Sequence, residues 1–129
     1  MFDWKKPTVQ MLGRWQPWHE GHQELFKRCF AKTGQVIIQV RDVQGASGGD
    51  GQDDNPFDWD AVCRNIEDGL IKDGFKRGFE YEIMLVPNIV NITYGRGVGY
   101  AFDEEVFDKS ITEISATKIR KLLREEGKL

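Results

Sequence analysis

Two histidines three residues apart, His19 and His22, lie in the run GRWQPWHEGH at residues 13–22, with Gly21 just before the second. The run follows a short apolar stretch and precedes a helical pattern, so it sits where a strand hands over to a helix N-terminus. Such a junction directs backbone N–H groups and the positive end of the helix dipole outward, which favours an anion. Two imidazoles and the guanidinium of Arg14 add donors to the same place. The set holds donors and cations and no nucleophile, and it suits a polyphosphate. Two plainer readings stand beside this one. A zinc pair at i, i+3 would need further ligands, yet the chain has two histidines in all, no cysteine is adjacent, and HEGH is not HExxH. Ordinary surface histidines at a helix start are the other reading, and the glycine wedged between them argues against it.

The elements that must position these residues follow from periodicity. Residues 8–12 (TVQML) are short and apolar-rich and are ended by Gly13, a buried first strand. Pro17 between aromatics fixes an extended path through the loop. From His22 onward Leu25, Phe26, Cys29 and Phe30 recur at helical spacing, a helix with one buried face. Residues 35–42 (QVIIQVRD) are rich in β-branched side chains, a second strand. Strand, helix and strand in about 35 residues make a βαβ unit with a parallel, right-handed crossover. Residues 43–55 are rich in glycine and aspartate and read as a long loop at the same sheet edge; their GASGGDG lacks the Gly-Lys-Ser/Thr of a P-loop.

A second helix is expected from Asn55, with Val62, Ile66 and Leu70 stepping by four. Residues 82–86 (EIMLV) read as a third strand and residues 91–94 (NITY) as a fourth, ending in the glycine-rich GRGVG at 95–99. Residues 106–111 read as a fifth short strand or as extended chain. Ser115 or Thr117 caps a last helix with Ile119, Leu122 and Leu123 buried. Ligands of parallel sheets sit beyond the carboxyl ends of the strands. The HEGH loop, the 43–55 loop and GRGVG all follow strands, so they share that edge.

Composition narrows the function classes. The 129 residues fit one domain with a single core, and a net charge of -3 does not suggest a nucleic-acid binder. Both cysteines, Cys29 and Cys63, fall in apolar helical stripes and read as reduced core residues. No run approaches the ~20 apolar residues of a membrane span, and residues 1–6 lack the apolar stretch of a signal peptide. A cytoplasmic protein with neither nucleic acid nor membrane as partner is expected.

The motifs carry a resemblance. HEGH resembles the HxGH signature of the nucleotidylyltransferase superfamily, and GRWQPWHEGH is similar to the GRFQPFHxGH form of archaeal-type nicotinamide-mononucleotide adenylyltransferases. NPFDWDAVCRNI at 55–66 resembles the NPFTWEER run of the same enzymes, and ISATKIRK at 114–121 resembles the second signature, ISxTxIR. ISATKI also resembles the ISTTKI of glycerol-3-phosphate cytidylyltransferases, whose first motif, GTFDxxHxGH, lacks the counterparts of Arg14 and Gln16. The resemblance implies an α/β fold, a Rossmann-like parallel sheet flanked by helices, in a single small domain.

It also implies nucleotidyl transfer, in which an acceptor's phosphate oxygen attacks the α-phosphorus of a nucleoside triphosphate and pyrophosphate leaves. Catalysis is then positioning and charge neutralisation. His19, His22, Arg14 and Arg120 take the catalytic positions. Ser115 and Thr117 would hold phosphates with the last helix, and Gly13, Gly21, Trp18, Arg41, Gly95 and Arg96 are further candidates for nucleotide or phosphate contact. Trp18 is a candidate for stacking on a base, with packing as its plainer role. Mg²⁺ would ride on the phosphates, with no metal ligand from the protein. ATP with a phosphorylated small-molecule acceptor, and CTP with a polyol or alcohol phosphate, both stay open, as do a non-catalytic nucleotide-binding protein and a homo-oligomer. The His22 pKa is expected to be lowered in the free protein and raised by bound triphosphate.

Overall fold

The computed structural model describes residues 1–43, 55–96, 99–107 and 115–128. Three strands, β1 (Val9–Gly13), β2 (Val36–Arg41) and β3 (Tyr81–Val86), alternate with α1 (Glu20–Thr33) and α2 (Trp59–Ile71), and α3 (Ala116–Glu125) follows. The sheet is parallel throughout, in the order β1-β2-β3, with Met11 opposite Ile38 and Ile38 opposite Ile83. This is the α/β arrangement expected: a small Rossmann-like parallel sheet flanked by helices.

The alternation within VIIQVR explains the layering. Val36, Ile38 and Val40 are buried while Ile37, Gln39 and Arg41 are half-buried on the opposite face. Tyr81 and Ile83 extend the buried face, and Phe26 of α1 meets the Tyr81 ring edge-on at 5.7 Å between centroids. Val62, Ile66 and Leu70 of α2 join the same core, so both helices cover one side of the sheet. Gly34 closes α1 at φ 82°, a left-handed cap that glycine adopts without a Cβ penalty. Cys29 and Cys63 are free and buried, as their stripes predict, and burial raises both thiol pKa values.

Three expectations need correction, and one open alternative narrows. Residues 91–94 form no strand: Ile92 is 57% and Tyr94 59% exposed, so pairing there buries neither. Of the two readings of residues 106–111, 106 and 107 follow the second, lying outside any strand, and 108–111 lie outside the described residues. Helix α2 begins at Trp59 rather than near Asn55, because the Asp58 carboxylate accepts from the Ala61 N–H and sets the N-cap there. In α3, Leu122 is 54% exposed while Arg120 is only 3% exposed, so the helix turns its arginine inward. No described helix is long and apolar enough to cross a membrane.

Candidate functional site

The HEGH run folds into a reciprocal helix cap built from its own two histidines. His19 is the N-cap of α1, with φ -142° and ψ -178°, and its Nδ1 accepts from the N–H groups of Gly21 at 3.0 Å and His22 at 3.4 Å. His22 answers: its Nδ1 accepts from the His19 N–H at 3.2 Å. This is a capping box in which imidazoles replace the usual Ser/Thr and Glu. The rings stack at 3.6 Å between centroids.

The cap corrects one expectation. The N–H groups of Gly21 and His22 are taken by the His19 ring, so they are not the outward-facing donors expected of the bare helix end. What replaces them follows from the tautomer. A neutral imidazole that accepts at Nδ1 carries its proton on Nε2, so each ring retains one N–H donor at its far side. The donors offered at this helix end are therefore the two rings rather than these backbone groups, and Gly21 supplies a capped N–H.

Electrostatics keep that tautomer in place. Burial lowers the pKa of His19, and burial followed by the charge of the neighbouring His19 pushes His22 down to about 3. The expected direction holds, but its cause is desolvation and the paired ring rather than the arginines. Trp15 meets the His22 ring edge-on at 4.8 Å and Trp18 lies 5.5 Å from it, which explains the dry environment.

Gln16 joins the three sequence blocks. Its side-chain amide pairs with the backbone of Phe57, donating to the carbonyl at 3.0 Å and accepting from the N–H at 2.9 Å. Its own carbonyl accepts from Arg120 Nη1 at 2.6 Å across 104 residues. The NPFDWD and ISATKIR runs are thereby fixed to the loop that carries His19 and His22. Gln16 is 4% exposed and Asn55 3%. Sequence reasoning assigned neither a position, although a polar residue set between Trp15 and Pro17-Trp18, and another directly before Pro56, are the available signals.

The remaining candidates divide. Arg14 is half-buried, its Nη1 3.2 Å from Asn55 Oδ1. Ser115 caps α3, accepting from Lys118 N–H at 3.4 Å, and Thr117 accepts from Arg120 Nη2 at 3.3 Å. Arg120, buried against Gln16 and Thr117, positions the loop. Arg41 ends the central strand, with Nη2 2.8 Å from Asn88 Oδ1. Gly95 and Arg96 are exposed, with no hydrogen bond to the histidine loop among the described residues; Gly97, Val98 and residues 44–54 lie outside those described.

Two candidates prove to be packing residues. Trp18 is 7% exposed, donates to Gln23 Oε1 at 2.8 Å, and lies so close to α2 that a Cβ on Gly69 would come within 2.9 Å of its ring. Its surface is committed to the core. Gly13 makes room for the other indole: a Cβ there would stand 2.8 Å from Trp15 Cζ2. Trp15 is itself at φ 54° and donates to the Gln39 carbonyl at 3.0 Å, so its ring has little freedom to yield. Gly13→Ala is therefore expected to destabilise the protein by about 1–3 kcal/mol through overpacking. Urea denaturation followed by tryptophan fluorescence measures it, and an unchanged midpoint would contradict the account.

Among the described residues no group of three or more His, Cys, Asp or Glu side chains is placed to hold a metal ion. The candidate residues carry imidazole, guanidinium and hydroxyl groups, types that pair with phosphate oxygens. A cavity of about 1150 Å³ runs along the outer edge of β1, lined by Leu12, Trp15, Cys29, Lys32, Tyr94 and Phe102 among others. It reaches the back of the Trp15 ring and includes neither histidine.

Comparison with known proteins gives a short match. Over 34 residues the chain is 38% identical to the nicotinamide-nucleotide adenylyltransferase of Methanococcus maripaludis, which covers 26% of this chain and 20% of that protein. The matched stretch thus represents about a fifth of the relative's length. No family model matches. The chain is similar to an adenylyltransferase over that stretch.

Proposed function

We propose that the protein is a nucleotidylyltransferase that moves a nucleoside monophosphate group, AMP from ATP, onto the phosphate of a small molecule. The observation that supports this best is the reciprocal cap: it leaves two Nε2–H donors on stacked rings at one helix end, with Arg14 earlier in the same loop and the Ser115–Thr117 helix start tied to that loop through Arg120. An acceptor phosphate oxygen forms a bond to the α-phosphorus, the bond from that phosphorus to the bridging oxygen breaks, and pyrophosphate departs with the electron pair. The nucleophile is already an anion, so no general base is required.

In this reading His19 and His22 donate to α- and β-phosphate oxygens as charge moves onto the bridge. Arg14 grips a phosphate with its planar fork, and Ser115 and Thr117 face the outer phosphates. Mg²⁺, bound to phosphate oxygens, would supply further charge neutralisation, in keeping with a protein site made of donors rather than carboxylates. The short similarity to an adenylyltransferase favours ATP, and the ISATKI run keeps CTP as the competing donor.

Thermal unfolding with ATP or CTP, each with Mg²⁺, separates these. At about 100-fold over its Kd a ligand adds about 2.7 kcal/mol of stability, a clear rise in Tm for a domain of this size. ATP is expected to give that rise and, with nicotinamide mononucleotide and related phosphate esters, release of pyrophosphate. Preference for CTP would move the acceptor to polyol or alcohol phosphates. Binding without pyrophosphate release from any phosphate ester would leave a nucleotide-binding protein, and no response to either nucleotide would refute the proposal.

A further inference from the structure

The β1–β2 ladder pairs Gly13 with Val40, so Arg14, the first residue after β1, and Arg41, the last of β2, follow a paired position on neighbouring strands. Both guanidiniums therefore stand at the carboxyl edge of the sheet, where ligands of parallel sheets bind. Their tethers are alike: Arg14 donates to Asn55 Oδ1 and Arg41 to Asn88 Oδ1. Among the described residues no carboxylate forms an ion pair with either, so an amide oxygen orients each cation without neutralising it.

Arg41 differs from Arg14 in one respect. Its Nε–H is buried with no hydrogen-bond partner among the described residues. A buried donor on a charged group is seldom left so, because nothing there replaces the water it has lost. Surface arginines such as Arg77 show the usual resolution: it bonds to Glu67 at 3.0 Å and Glu82 at 2.5 Å. Arg41 ends the central strand, opposite Val86 of β3, and Asp42 N–H continues that ladder to Val86 O at 2.9 Å. The guanidinium is thus held by strand and asparagine with one donor unspent.

We infer that Arg41, oriented by Asn88, is the subsite for the acceptor's phosphate, distinct from the triphosphate site at His19, His22 and Arg14. The inference rests on the nucleotidyl-transfer reading and adds a division of labour to it: one arginine for each substrate. The Nε–H and an Nη–H of a guanidinium lie parallel on one edge and donate to a phosphate bidentately. The acceptor's phosphate must approach the α-phosphorus to about 3–3.5 Å. A cation at the end of the strand beside Arg14 is placed to hold that phosphate while leaving its attacking oxygen unprotonated. Arg41 touches substrate in this scheme, and Asn88 is its positioning residue.

The test follows the Arg41 Nε–H and the two histidine rings by NMR in ¹⁵N-labelled full-length chain. Inorganic phosphate is added first, then ATP with Mg²⁺. Phosphate is expected to shift the Arg41 signal saturably, and the shift should persist when ATP moves the His19 and His22 signals. Arg41→Gln should weaken phosphate binding about 10- to 100-fold, the loss of a charged hydrogen-bond partner, and leave the histidine response to ATP in place. An Arg41 signal indifferent to phosphate, or phosphate displaced from it by ATP, would overturn the inference. Phosphate at Arg41 with neither histidine responding to ATP would instead refute the transfer reading and leave the anion site standing.

Discussion

His22→Ala is expected to slow pyrophosphate release about 10²–10³-fold, the usual consequence of removing one donor aimed at developing charge. The loss has two parts that a second variant separates. Alanine removes the Nε2–H and also the Nδ1 that caps the His19 N–H, and a lost cap costs about 0.5–2 kcal/mol of stability. Asparagine at the same position offers a short oxygen acceptor for that backbone N–H but no donor at the reach of the far side of an imidazole. His22→Asn should therefore regain most of the stability and little of the rate. Equal recovery of both would mean that His22 serves the helix alone, and the phosphate role would fall.

The same residue shows what sequence reading reaches and what it does not. Strand–helix–strand periodicity placed β1, α1, β2 and β3 to within about two residues, because alternation in VIIQVR and the Leu25, Phe26, Cys29, Phe30 stripe are local signals of burial. The spacing of His19 and His22 marked the helix start. That the rings cap each other was not legible: imidazoles are uncommon caps, and the geometry depends on an extended His19 backbone that no local propensity announces. Gln16 is the larger omission. Its amide and carbonyl join residues 41 and 104 positions away, and contacts at that range leave no periodic trace.

Arg120 illustrates a related point. The signature marks an arginine, and its charge suggests a phosphate ligand, yet its Nη1 is spent on a main-chain carbonyl and only 3% of the residue is exposed. What it holds is the position of the histidine loop, through Gln16. The strand expected at 91–94 failed for the opposite reason. Alternation in NITY is genuine, but alternation signals a strand only where a neighbour buries one face, and Ile92 and Tyr94 remain more than half exposed.

Acid should weaken the fold through this cap, because the cap works only while both rings are neutral. A protonated imidazole has no lone pair for the Gly21 and His22 N–H groups or for that of His19. With a folded pKa of about 3 for His22 against 6.5 unfolded, the unfolded chain binds the extra proton between those values. Stability contributed by the neutral ring is then fully present above about pH 6.5 and is lost as pH falls towards about 3, at up to about 1.4 kcal/mol per pH unit. His19, lowered by burial as well, adds loss of the same sign. The window from about pH 6.5 to about 5 isolates the histidines, since free carboxylates titrate near 4. Across it the urea midpoint should fall steeply in wild type and much less in His22→Asn. Bound ATP reverses part of this. Phosphate charge beside the rings favours protonation, so a nucleotide-saturated protein should lose less stability over the same window. A wild-type slope matched by His22→Asn would show that the titrating groups lie elsewhere, whereas a slope that ATP flattens in wild type alone would tie the helix cap and the phosphate site to the same two rings.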